Sequence, residues 1–238
     1  MALIAALPPD HREIIREKYV LAVDIGQSSD PTAIAAIHHT HYQHMHPNGN
    51  VRDAGETFDV RHLARLPLGL SYMDQVGTVR LLHARPPLQG CELVIDETGV
   101  GRPVGDLFDN TGMSPTRVTI TAGNTQTCAG LRRWHVAKSL LISGVDARLH
   151  TEELRIAADL TEASALADEL KDFRRKISAA GRYTFEARVG KHDDLVLAVA
   201  IGLWAIVGRP KPSIAAFGTY GLTAPAQSLV GFANHQRN

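Results

Sequence analysis

At 238 residues the chain has room for one substantial α/β domain and not for two large ones. Apolar residues make up 44% and charged residues 21%, which excludes disordered and fibrous classes. Lys plus Arg and Asp plus Glu both number 25, so no global field draws the protein to a polyanion, and any grip on one must come from a local basic surface.

Residues 1–18 read as a leader: the opening seven are briefly apolar but lack the basic start of a signal peptide, and a charged run from Asp10 to Lys18 follows. Two β-branched, apolar runs come next, residues 19–25 (YVLAVDI) and 33–38 (AIAAIH), read as adjacent strands joined by the turn 27–32. A third strand is expected within 56–66. Val76, Val79 and Leu82 have helical spacing in 73–84, which Pro86 and Pro87 close.

The run 91–96 (CELVID) predicts a buried strand that, like the first, ends on a carboxylate. Gly99 and Gly101 then lead into a helical segment at 103–108. A strand at 117–121, helices at 137–149 and 161–178, and a short strand at 183–187 follow. The apolar stretch 193–207 predicts a helix opened by two acids, where negative charge suits the helix dipole. Residues 208–238, rich in Pro and Gly, read as a tail. This order, strands first and helices alternating later, predicts an α/β fold with a mixed sheet flanked by helices on both faces over residues 19–207.

Three acidic positions stand at element boundaries: Asp24 and Asp96 at strand ends, and the pair Asp193 and Asp194 at a helix start. Gathering carboxylates raises their pKa values unless a divalent cation compensates, and hard oxygen donors suit Mg²⁺ or Mn²⁺. Two such ions can activate a water and stabilise a leaving oxygen in phosphodiester cleavage. Taken singly, each Asp is equally well explained as a turn or cap residue, so the case rests on their occurring together.

Four segments carry a family resemblance: VDIGQSSDPTAIAAI (23–37), ELVIDETGVG (92–101), WHVAK (134–138) and KHDDLVLAVAIGLWA (191–205). In order and spacing the chain resembles the nuclease domain of phage large terminases over about residues 19–207. The resemblance implies an RNase H-like, RuvC-type fold and metal-dependent endonuclease cleavage of double-stranded DNA during genome packaging. Asp24, Asp96 and Asp194 would be catalytic and Asp24, Asp96, Asp193 and Asp194 would hold two Mg²⁺ or Mn²⁺ ions; the register leaves the last two acids hard to separate, with Asp194 favoured. Arg102, Arg182, Arg188 and Lys191, near the proposed site, are candidate phosphate contacts. The implied partners are DNA and a separate packaging ATPase, small terminase subunit or portal; the implied setting is the host cytoplasm.

One departure from the family stands out. No G-x-x-x-x-G-K-[ST] phosphate loop occurs, so no packaging motor is expected in this chain. A Holliday-junction resolvase of the same fold, a non-catalytic relative docking on a portal or small terminase subunit, and an actin-like ATPase suggested by Asp24-Ile25-Gly26 are the competing readings. His38, His39, His41, His44 and His46 read as a solvated hairpin tip rather than a metal cluster. Cys91 and Cys128 read as reduced thiols. Lys171, Arg174, Arg175 and Lys176 read as the outer face of a helix, Glu97 as a turn residue on the side opposite Asp96, and Trp134 and Trp204 as core.

Overall fold

The computed structural model describes residues 12–27, 30–46, 50–172, 174–177, 183–186 and 192–210. An antiparallel trio comes first: β1 (Arg12–Asp24), β2 (Ala33–Met45) and β3 (Val51–Arg65). Helix α1 (Tyr72–His83) leads to β4 (Glu92–Asp96), and α2 (Arg102–Asn110) leads to β5 (Thr116–Thr121). The hairpin β6 (Gln126–Gly130) and β7 (Arg133–Ala137) runs into α3 (Lys138–His150) and then β8 (Leu154–Ile156). Helix α4 (Ala163–Asp172), a separate hairpin of β9 (Arg174–Ile177) and β10 (Tyr183–Glu186), and α5 (Asp194–Leu203) complete the order.

The main sheet has the order β6-β7-β5-β4-β1-β2-β3-β8. Strands β4, β5 and β7 run parallel to β1 through the chain of pairings, while β2 is antiparallel to it. This is the expected mixed sheet, and both its faces are covered. The period of two along β1 sends Val20 and Ala22 into one core with α3, α4 and α5, and Leu21, Val23 and Ile25 into another with α1 and α2.

Helix α5 is buried at every position from Asp194 to Leu203 because it lies between the sheet and α3, which explains why its sequence is apolar all round. Gly202 permits that approach: a Cβ there would sit 2.8 Å from Ile37 Cδ1 and 3.1 Å from Ala22 Cβ. Past Leu203 the helix widens into a π-turn at Trp204–Gly208. Gln126 clamps it, accepting from Trp204 Nε1 at 2.6 Å and donating to the Gly208 carbonyl at 3.0 Å. The rings of Trp134 and Trp204 meet edge to face with centroids 5.6 Å apart.

The structure departs from the sequence reading in four places. Strand β1 starts at Arg12, so residues 12–18 are strand and not leader; their charged side chains hide the strand, whose backbone is satisfied by β2 from His44 to His39. The expected helix 161–178 stops at Asp172, and Arg174 to Lys176 belong to β9, so the basic cluster does not form one helix face. The histidines are not a solvated tip, since β2 continues to Met45 and His39 is 6% exposed, bonded to Glu56 at 2.7 Å and stacked on Phe58; Pro47 to Gly49 lie outside the described residues. The hairpin β6–β7 and the short β8 had no counterpart among the expected strands.

Residues 211–238 of the expected tail are outside the described residues. Arg209, near its start, is fastened to Glu92 at 2.6 and 3.1 Å. Among the described residues, no helix is long and apolar enough to cross a membrane.

Candidate active site

Asp24 and Asp96 end neighbouring parallel strands and are directly paired in register. Alternation puts Asp24 on the same face as Ala22, and Asp96 on the same face as Val94, the face that α5 covers. Both carboxyls therefore lie where the sheet ends beneath the start of α5. Glu97, one residue on, turns to the α2 side, 3.7 Å from Arg117. The β1–β2 turn beside Asp24 is tight: Gly26 donates to Thr32 Oγ1 at 2.9 Å, and Thr32 donates to Gln75 of α1 at 2.7 Å. A Cβ on Gly26 would fall 2.0 Å from the Asp30 carbonyl oxygen, so only glycine fits there.

Asp193 occupies the N-cap of α5 but makes no capping bond with its side chain. Its carboxylate instead accepts from Lys138 Nζ at 2.5 Å, at the first residue of α3. Asp194 is buried and accepts from Arg65 Nε at 2.6 Å. Arg65 also donates to Glu162 at 3.2 Å and to Glu169, and the second oxygen of Glu169 accepts from the Val196 amide at 3.0 Å. His192 is exposed, 3.7 Å from Asp30 and 3.9 Å from Asp194.

The electrostatics follow from this crowding. Burial, then Asp96, Asp193 and Asp194, push the Asp24 pKa well above the usual carboxylate range, while Lys138 opposes the rise. Burial pushes Asp96 up to about 6, against bonds from Thr98 and Asp24 that lower it. One Asp96 oxygen accepts the Thr98 amide at 2.8 Å, so part of the turn-former account holds for this residue. Burial likewise raises Glu169 to about 7, against the bond from the Val196 amide.

The structure thus brings Asp24 and Asp96 together and sets Asp193 and Asp194 close enough to perturb Asp24. Arg102 is exposed at the start of α2, after the Gly99–Gly101 turn. Arg182, Arg188 and Lys191 lie outside the described residues. Lys138, Arg65, Glu162 and Glu169 were not singled out from sequence; Lys138 closes the WHVAK segment, which was its only signal.

The donors are all hard carboxylate oxygens, and a buried, mutually repelling acid pair is the kind of site a divalent cation relieves. Among the described residues no group of three or more His, Cys, Asp and Glu side chains has the spacing to hold a metal ion. Asp193 is engaged by Lys138 and Asp194, through one oxygen, by Arg65. The chemistry of Asp24 and Asp96 fits a hard divalent ion.

No protein-family model matches the chain, and no curated protein matches it in sequence. Among solved structures, the large terminase nuclease from thermophilic phage G20c with bound cobalt is similar at 20% identity and a TM-score of 0.55, over 83% of this chain and 90% of that one. The same nuclease with bound magnesium gives the same values. The large terminase nuclease domain of Thermus phage P74-26 is similar at 18% identity and a TM-score of 0.55, over 80% of this chain and 83% of that one. The strand order, the parallel and antiparallel pairings and these likenesses together establish that the chain has the RNase H-like fold of the large terminase nuclease domains.

Proposed function

We propose that the protein is an endonuclease that cleaves double-stranded DNA using Mg²⁺ or Mn²⁺, with Asp24, Asp96 and an α5 acid, Asp194 first and Asp193 second, as the metal-binding set. The observation that carries the reading is the register pairing of Asp24 with Asp96 beneath the acid-opened start of α5. A turn role accounts for part of Asp96 alone, whose Oδ1 accepts the Thr98 amide; Asp193 makes no side-chain capping bond, and like charges crowd Asp24.

When bound, a pair of divalent ions supplies a water of lowered pKa and stabilises the leaving oxygen of a phosphodiester. Asp24 and Asp96 would hold the ions from the sheet edge, and the α5 acids from the start of the helix. Lys138 neutralises Asp193, which would be a further ligand, and the tight Gly26 turn fixes the direction in which Asp24 leaves β1. Arg102, exposed after the Gly99–Gly101 turn, is suited to a backbone phosphate, and Arg182, Arg188 and Lys191 are proposed for the same task. The motor that would feed DNA to such a site is proposed to reside elsewhere, as a packaging ATPase working with a small terminase subunit or portal.

The test is cleavage of supercoiled and linear plasmid by the purified chain in Mn²⁺, Mg²⁺ or EDTA. Cutting is expected with either metal and is abolished by EDTA. The Asp24→Asn and Asp96→Asn variants should be inactive while keeping the wild-type far-ultraviolet spectrum. A fully active Asp24→Asn protein, or cutting that persists in excess chelator, refutes the proposal.

A further inference from the structure

Arg65 is the last residue of β3 and sits in a row that crosses four strands: Asp96 pairs with Asp24, Asp24 with Ala33, and Ala33 with Arg65. Directly paired residues share a face, so two acids, a small residue and a guanidinium line one sheet face beneath α5. The small Ala33 leaves the middle of the row open, and the start of α5 descends over it. There Arg65 spends its three nitrogens on three different acids, Asp194 from α5 and Glu162 and Glu169 from the α4 region. Glu169 in turn holds the Val196 amide in the first turn of α5.

The two α5 acids are therefore held differently. Asp193 meets one lysine ammonium, with side chains 30% and 23% exposed, an arrangement that a competing cation can exchange. Asp194 is 8% exposed and meets a planar, permanently charged fork that is itself fixed at its other two ends. One Asp194 oxygen, Oδ2, is committed to Arg65, while Oδ1 faces the His192 ring at 3.9 Å. Three acids around one arginine are an expensive way to hold three elements together, because apolar packing does that at least as well. The arrangement makes sense where the orientation of a carboxylate matters.

We infer that Arg65 is a positioning residue for the metal site: it fixes Asp194 through Oδ2 and, through Glu169, the first turn of α5, so that the helix-opening acids face Asp24 and Asp96 with Asp194 Oδ1 left as the donor. This rests on the nuclease reading above. Asp193, held by Lys138 among the described residues, is then the exchangeable acid and Asp194 the fixed one.

The experiment is calorimetric titration of Mn²⁺ alone into the full chain, wild type against Arg65→Lys and Arg65→Gln, with circular dichroism to confirm folding. Losing a residue that orients a ligand typically weakens metal affinity about tenfold or more, which is the expectation for folded Arg65→Gln. Lysine keeps the charge but has no planar fork, so Arg65→Lys should fall between the two. Affinity equal to wild type in folded Arg65→Gln would show that the residue only ties elements together, and tighter binding would show that it merely repels the metal; either result overturns the inference. Should Arg65→Gln fail to fold, Arg65→Lys decides, with unchanged affinity overturning it. A wild-type chain that binds no Mn²⁺ sinks the nuclease reading and this inference together. Wild-type binding that both Arg65 variants retain sinks this inference alone.

Discussion

Asp96→Asn should stabilise the metal-free protein at neutral and alkaline pH. Asp96 is 4% exposed, and burial holds its carboxyl at about 6 against an ordinary 3.8. A folded-state pKa raised above the unfolded value means that the protonated form favours folding, so stability is full below pH 3.8 and is lost as pH rises through about 6. At 1.36 kcal/mol per pH unit this difference corresponds to ~3 kcal/mol at pH 8. Asparagine keeps the oxygen that accepts the Thr98 amide at 2.8 Å and removes only the charge, which also relieves Asp24. For a chain of this size ~3 kcal/mol raises the thermal midpoint by roughly 6–12 °C. The assay is thermal unfolding in EDTA at pH 8 and at pH 4. The gain should be present at pH 8 and nearly gone at pH 4, and adding Mn²⁺ at pH 8 should stabilise the wild type much more than the variant. An unchanged midpoint at pH 8, or a gain of equal size at pH 4, would refute the reasoning that Asp96 is strained by charge.

Gly202→Val should cost about 1–3 kcal/mol of stability, read as a lower urea midpoint, because its branched side chain must displace Ile37 and Ala22, which a Cβ alone would already approach to 2.8 and 3.1 Å. Gly202→Ala should lose less, since alanine regains up to about 1 kcal/mol of helix propensity, and a valine variant as stable as wild type would contradict the packing. DNA affinity should fall steeply with salt, and Arg102→Ala should make the slope of log K against log salt shallower by about 1 while leaving the far-ultraviolet spectrum unchanged. A salt slope identical to wild type would remove Arg102 from the phosphate-contacting set.

How much of the fold was legible depends on where each element buries its side chains. The runs at 19–25 and 91–96 announce themselves because they are buried on both faces, and α5 does so because it is apolar all round. The first seven residues of β1 and the outer halves of β2 and β3 give no such signal, because charged residues and histidines interrupt the apolar pattern there. Paired backbone holds those parts together with polar side-chain contacts such as His39 to Glu56 and His41 to Asp53. Strand β6 is mostly exposed and β8 is three residues long, so neither carries a period to read. The helix expected across 161–178 stops at Asp172 because a basic run such as Arg174 to Lys176 suits a strand as well as a helix face.

The site divides along the same line. Asp24 and Asp96 could be found from sequence because a strand that ends on a carboxylate is a local pattern, and two of them on neighbouring parallel strands need no further information to meet. The α5 acids were visible as a helix-opening pair, but their difference was not, since it depends on partners at distant positions. Arg65 is 129 residues from Asp194 and reads locally as an ordinary strand-end charge. It faces Asp194 only because the β1–β2 and β2–β3 registers carry the row Asp24, Ala33, Arg65 across the sheet, and a slip of one residue in either pairing would turn Arg65 to the α1 side. Two bulges interrupt the β2–β3 pairing, at Ala36/Ile37 and His41/Gln43; the second is marked in the sequence by Gly55, which takes a positive φ there, while the first has no such signature. The information that separates Asp193 from Asp194 is therefore held in strand register, which is why a sequence that shows where the acids are does not show which one is fixed.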